Sequence, residues 1–289
     1  MIETETFDLG EVAVTVVLDA GPRILGYVRR DGPRMFANVP DAVLESATGA
    51  YALLGGHRLW RAPEIPAITY QPDDRPVGVD RLEDGVRLTG PPDIEGITRT
   101  VALHQRGTMT VVDHVLLNTG PAPIRCAPWA ITQLAPGGTA VLPQSLAPSD
   151  PAGVQPNRTV VLWPYTDPSG QEIEFRSSEL RIHASNSEHR TKVGQENRRG
   201  WIAYVRDDEL FVKWSPLHQY DTDYADLGAS VQCYRDHRFL ELETLGPLTD
   251  LEPGQDVSHR EVWTLIGLKG SPLDEVLASL REQPAEMLE

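Results

Sequence analysis

Two glutamates two positions apart, Glu241 and Glu243, lie in the run FLELETLGP. With the period of two of a strand they share one face, while Leu240, Leu242 and Thr244 share the other. A face carrying two acids either looks at water or lines a polar cleft. In a cleft, like-charge crowding and desolvation raise one carboxyl pKa, as a general base or acid requires. A second candidate segment, GGHRLWRAPE (residues 55–64), brings together His57, Arg58, Trp60 and Glu64 behind two glycines. An imidazole, a forked donor, a flat indole and a carboxylate suit a polyhydroxylated ligand, whose hydroxyls take the polar groups and whose C–H face stacks on the indole. The competing reading is a turn followed by an edge strand with a structural Arg–Glu pair.

Two further segments mix aromatic, amide and charged residues where a plain strand would alternate. In PNRTVVLWPYTD (156–167), Arg158 is able to hold an anionic group bidentately, and Trp163 and Tyr165 offer flat faces. The competing reading is a loop-anchoring Arg and a core Trp. KVGQENRRGWIAY (192–204) and LFVKW (210–214) contribute Lys192, Asn197 and Lys213. Positive charge is scarce in this chain, which singles out the two lysines, although surface solvation is the ordinary fate of a lysine.

These residues need rigid elements to hold them, and the period of two predicts strands. Runs at 11–18, 85–89, 98–103, 108–118, 124–134, 159–163, 201–205, 209–214, 230–234, 239–245 and 257–266 read as strands. Between them lie turn clusters such as Asp31-Gly32-Pro33 and Pro136-Gly137-Gly138. Many short strands with this punctuation imply an all-β sandwich or barrel. Ser271-Pro272-Leu273-Asp274 carries a capping Ser, Pro at the first helical position and an acid behind it, so residues 271–282 should form a C-terminal helix. Residues 41–46 are a second, short helix candidate. Residues 143–156 read as a long surface loop within one domain that spans 1–289.

The 289 residues carry 26 Lys plus Arg against 42 Asp plus Glu, a net charge of −16. That balance argues against binding a nucleic-acid backbone or an anionic membrane surface. No apolar run has the length of a membrane helix. The acidic N-terminus lacks a secretory-signal pattern, so the expected location is the cytoplasm. Cys126 and Cys233 form no CxxC and are expected to be reduced and buried. The eight histidines make no HxH, HxxxH or HExxH pair, so no metal site with local spacing is expected. The absence of a GxGxxG, a P-loop and a GxSxG leaves dinucleotide, nucleotide and α/β-hydrolase chemistry without support, and no cofactor is expected.

The strings GGHRLWRAPE, PNRTVVLWPYTD, KVGQENRRGWIAY, LFVKW and LELETLGPLTDLEPGQDVSHREVW (240–263) together resemble a bacterial family of unknown function in the galactose-mutarotase-like, or aldose 1-epimerase-like, superfamily. The resemblance implies a β-supersandwich of antiparallel sheets around a carbohydrate cleft. It also implies a small-molecule sugar substrate. In such enzymes a glutamate takes the anomeric hydroxyl proton and a histidine protonates the ring oxygen. Glu243 matches the glutamate. The histidine does not carry over, because the corresponding strand reads Ala127-Pro128-Trp129-Ala130-Ile131-Thr132-Gln133, offering Trp129 and Gln133 instead. His57 or Lys192 would then supply the acid. Non-catalytic sugar binding, and isomerase, lyase or cyclase chemistry on a non-sugar intermediate, are the alternatives.

Overall fold

The computed structural model describes residues 2–216 and 223–282. Its strands form two large antiparallel sheets. The first runs, in spatial order, Thr4–Asp8, Val12–Val17, Arg23–Arg29, Gly49–Ala62, Ile124–Leu134, Leu240–Leu245, Val231–Arg235, Thr191–Gln195 and Val160–Leu162. Thr249–Leu251 is attached to Ile124–Leu134, and Asn38–Ser46 to Gly49–Ala62. The second runs Ile173–Phe175, Glu179–His183, Thr139–Pro143, Trp201–Arg206, Glu209–Trp214, Asp256–Gly267, Met109–Asn118, Ile97–Arg106, Gly85–Thr89 and Gly78–Leu82.

Alternation sends one set of side chains from each sheet into a shared core. Val14, Ile24, Leu59, Leu134, Leu242 and Cys233 from the first sheet meet Val101, Val112, Leu116, Ile182, Phe211 and Trp263 from the second. Edge-on rings brace the centre: Tyr27 and Trp263 lie 5.3 Å apart, and Phe36 and Phe211 5.6 Å apart, in the arrangement that ring quadrupoles favour. The helix Leu273–Glu282 covers the outer face of the second sheet. It buries Leu277 and Leu280 against Val141, Trp201, Ala203 and Val212. No helix among the described residues is long and apolar enough to cross a membrane.

Two local readings change. Residues 41–46 are not helical but belong to the strand Asn38–Ser46, whose ladder to Gly49–Ala62 outweighs the short helical pattern. Residues 55–64 are not a turn and an edge strand. They lie within and just beyond the 14-residue strand Gly49–Ala62, which is paired on both sides. The glycines do bend it: Gly56 has φ +69°, and a Cβ there would sit 2.1 Å from the Ile24 carbonyl oxygen. Only a residue without a side chain permits that approach. Both cysteines are free and buried.

Candidate active site

The two faces of the first sheet separate by register, because directly opposed residues point the same way. One row of successive partners is Gly194, Gln232, Glu243, Ile131 and Arg58. The adjacent row is Val193, Cys233, Leu242, Thr132 and His57. The second row enters the core between the sheets. The first lies on the opposite face, beside a cavity of about 230 Å³.

That cavity is lined by Arg58, Trp60, Glu64, Trp129, Trp163, Tyr165, Lys192 and Glu241 among the residues singled out from the sequence. The strands Gly49–Ala62, Ile124–Leu134, Leu240–Leu245 and Thr191–Gln195 supply most of them. The Trp163–Tyr165 segment is pinned to the sheet by Thr166. Its Oγ1 donates to the Lys192 carbonyl at 2.7 Å and accepts the Lys192 N–H at 2.9 Å. Trp163 is able to lie over the sheet because residue 194 is glycine: a Cβ there would be 2.8 Å from Ala229 Cβ and 3.4 Å from the Trp163 ring. Gly194→Ala is therefore expected to displace Trp163 and destabilise the fold by about 1–3 kcal/mol, the range for an overpacked site. Denaturant unfolding checks this, with a shifted tryptophan emission spectrum as the second readout.

Glu243 lies behind the lining and is fully buried. Its Oε2 accepts from Trp129 Nε1 at 2.7 Å and from Lys192 Nζ at 3.0 Å, while Oε1 has no partner among the described residues. Burial pushes its pKa up to about 7; Lys192 and the Trp129 indole hold it back, and neighbouring Glu241 adds to the rise. The Lys192 ammonium also faces two indoles, 4.7 Å from the Trp129 ring and 4.8 Å from that of Trp163, a cation–π setting. Glu241 is fixed differently: its Oε1 accepts from Arg58 Nη2 at 2.8 Å and from Gln133 Nε2 at 3.0 Å. Arg58 in turn stacks 4.1 Å above Trp60. Arg58 thus pairs with Glu241, whereas Glu64 accepts from the Tyr70 hydroxyl. The arrangement combines a carboxyl poised near neutrality, an ammonium in contact with it, and aromatic walls. Such groups are of the kind that transfer protons.

Four sequence candidates lie elsewhere. His57 faces the inter-sheet core, one residue out of phase with Arg58. Its Nδ1 lies 2.9 Å from Thr132 Oγ1 and its Nε2 2.8 Å from His114 Nε2. Burial, with His114 and Lys213 nearby, holds its pKa well below the ordinary value, so it favours the neutral imidazole and is no source of an imidazolium proton. Lys213 reaches into the same layer from the second sheet, 2.7 Å from Glu261 and 3.1 Å from Thr132 Oγ1. Asn197 is a buried turn anchor whose Nδ2 donates to the Trp201 carbonyl. Arg158 lies at a separate surface pocket, donating to Gln144 Oε1 and the Ser177 carbonyl.

The cavity also has walls that sequence reasoning missed: Tyr70, Arg190, Tyr234, Arg238 and Phe239. Tyr234 was discoverable in principle, since it opposes Glu241 in the hairpin ladder. Arg190, 4.9 Å over Tyr165, arrives on a loop with no periodic signal. No histidine among the described residues lines the cavity, and His218 falls outside them.

Donor atoms of His57, His114 and Glu261 do come within 4.8 Å of one another. Each is already engaged. Because the His259 carbonyl can only accept, His114 Nδ1 carries the hydrogen at 3.0 Å, which leaves Nε2 to accept from His57. Glu261 takes bonds from Lys213, Thr244 and Trp263. A divalent ion there would face the Lys213 ammonium. The cluster therefore fits a closed hydrogen-bond network better than a metal centre.

No protein-family model and no curated protein matches the chain by sequence. Solved structures do match. A galactose mutarotase-like protein from Lactobacillus casei ATCC 334 superposes with a TM-score of 0.57 at 10% identity, covering 91% of this chain and 100% of its own. A protein of Escherichia coli K12 provisionally named an aldose 1-epimerase gives 0.57 at 12% identity, covering 93% and 100%. A protein of Salmonella typhimurium provisionally named a mutarotase gives 0.58 at 10%, covering 92% and 91%. The fold of this chain, two large antiparallel sheets with a C-terminal helix packed on the second, is the galactose mutarotase-like fold of these structures.

Proposed function

We propose that the protein catalyses acid/base isomerisation at a sugar ring, of the aldose 1-epimerase type, with Glu243 as the base. The carrying observation is a fully buried carboxyl, raised to about 7, with one oxygen unpartnered among the described residues beside an aromatic-lined cavity. An unsatisfied buried acceptor calls for a donor, and an anomeric hydroxyl is one. Glu243 takes that proton as the C1–ring-oxygen bond breaks, and an ammonium proton of Lys192 goes to the ring oxygen. The aldehyde turns, the ring closes on its other face, and both protons return. Lys192 replaces the histidine because its Nζ touches both Glu243 and the cavity. Trp60, Trp129, Trp163 and Tyr165 supply stacking faces, and Arg58 and Glu241 the hydrogen-bonding rim.

The test is anomer exchange by NMR across a panel of aldoses, with and without protein. Accelerated exchange supports turnover. Binding without acceleration assigns a sugar-binding role instead, a reading favoured by the direct Lys192–Glu243 ion pair, which already occupies one carboxylate oxygen.

The pH profile carries a sign. The base form of Glu243 accumulates above about 7, so the exchange rate should rise with pH through that value. Lys192→Met removes a neighbour that lowers the Glu243 pKa, so any residual exchange should have its rising limb at higher pH. Stability runs the other way. A carboxyl whose folded pKa is raised binds more protons folded than unfolded, so its contribution declines as pH rises from the ordinary carboxylate range toward 7. A residual rising limb that stays in place in the Lys192 variant would remove the assigned coupling.

A further inference from the structure

Beyond the wall formed by Arg58 and Trp60 lies a second, smaller chamber of about 70 Å³. Both residues line it as well as the main cavity. Tyr51, Gln71, Asp73 and Arg99 complete much of its lining. Trp60 Nε1 donates to the Tyr51 hydroxyl at 3.1 Å, which fixes the shared wall.

Among the described residues, the unpartnered buried polar atoms near the two spaces fall into two groups, and Arg58 stands where the spaces meet. Behind the lining of the main cavity three are acceptors, Glu243 Oε1, Gln133 Oε1 and Gln232 Oε1. An O–H group satisfies such an acceptor. Around the second chamber every such atom is a donor: Arg58 Nε, Arg58 Nη1, Gln71 Nε2 and Arg99 Nε. Arg58 is only 2% exposed and spends a single N–H on Glu241. Buried N–H groups on a guanidinium without an acceptor are costly, and an ionised acceptor satisfies them best.

The two acids in the lining do not fill this need. Asp73 accepts from Arg23 at 2.9 Å, and Asp93 accepts from Arg99 Nη2 at 2.8 Å and from its own loop's N–H groups. Their presence limits how much added negative charge the chamber accommodates. At about 70 Å³ against about 230 Å³ for the main cavity, the chamber suits a flat monoanion over a bulkier dianion.

We propose that this chamber is an oxyanion subsite and that the ligand of the main cavity is a sugar acid whose carboxylate reaches it past Arg58 and Trp60. The proposal rests on the sugar reading of the cavity, and its test separates the two. Tryptophan fluorescence, with Trp60 on the shared wall, is to be titrated with galactose, glucose, galacturonate, glucuronate, their neutral parents' 6-phosphates, and sodium acetate against sodium chloride. Anomer exchange is followed on the same sugars by NMR.

A uronate should bind at least ten-fold more tightly than its neutral parent, and acetate should shift the emission where chloride does not. Arg58→Met should bring uronate and parent within two-fold of each other. If that variant fails to fold, Gln71→Leu serves, with a partial loss of the same preference. Equal affinities for uronate and parent, no acetate response, or preference for a 6-phosphate over the uronate each overturn the subsite. Tighter uronate binding without accelerated exchange keeps the subsite and removes turnover. Exchange that is equally fast on neutral sugars, with no uronate preference in affinity, keeps turnover and removes the subsite.

Discussion

Glu243→Gln is expected to lower protein-catalysed anomer exchange by about 10²–10⁴-fold, the span a positioned general base contributes, while sugar binding survives. The substitution keeps shape and replaces a titrating carboxyl with a neutral amide. The amide oxygen still accepts from Trp129 Nε1, which lies 2.7 Å from the native carboxylate. Lys192 loses its ion pair but keeps two indole faces within 4.8 Å. The cavity walls come from Trp60, Trp163 and Tyr165, which the change does not touch. The measurement is NMR exchange at saturating sugar, with affinity from fluorescence on the same samples. An unaltered rate would show that Glu243 is not the base, whatever its burial. A matched Glu241→Gln variant sharpens the comparison. Glu241 is tied to Arg58 and Gln133, so its loss should weaken binding more than it slows the bound sugar.

Lys213→Met carries the largest expected cost in stability, about 3–5 kcal/mol, the penalty for removing one partner of a buried ion pair. Lys213 and Glu261 are both fully buried and 2.7 Å apart. Burial alone pushes the Glu261 carboxyl up, but Lys213 with His114 and His259 outweighs it and leaves the pKa below its ordinary value. Without the ammonium, the carboxylate is stranded between the sheets among Thr244, Trp263 and His114. The variant should then lose stability most at neutral and alkaline pH, and recover part of it under mild acid where Glu261 protonates. Lys213→Met combined with Glu261→Gln should restore much of the loss, since neither charge remains. Denaturant unfolding at two pH values measures both. A single variant as stable as the wild type would mean that the pair contributes nothing the neighbours cannot replace.

The parts of the site that could be read in advance are those governed by single-strand geometry. A period of two placed Glu241 and Glu243 together before any pairing was known, and the run 239–245 closely matches the strand Leu240–Leu245. The aromatic-rich strings 55–64 and 156–167 supplied Trp60, Trp163 and Tyr165, all on the cavity wall. Strands absent from the sequence reading, such as Arg23–Arg29 and Thr191–Gln195, lacked clean alternation because both of their faces are largely covered. His57 failed as a candidate acid for a similar reason. Composition put it in a polar string, but parity put it on the opposite face from its neighbour Arg58.

The sequence by itself determined that the chain is a strand-built, acidic protein with a C-terminal helix, and that two carboxylates share one side of a strand. These follow from local periodicity, capping and charge, which need no knowledge of what lies across the sheet. Only the tertiary structure decided which side of that strand faces the cavity, that Lys192 rather than His57 meets Glu243, and that Lys213 lies in the core. Those outcomes depend on cross-strand register over residues far apart in the chain. A shift of one residue would exchange the two faces, and no local pattern encodes that choice.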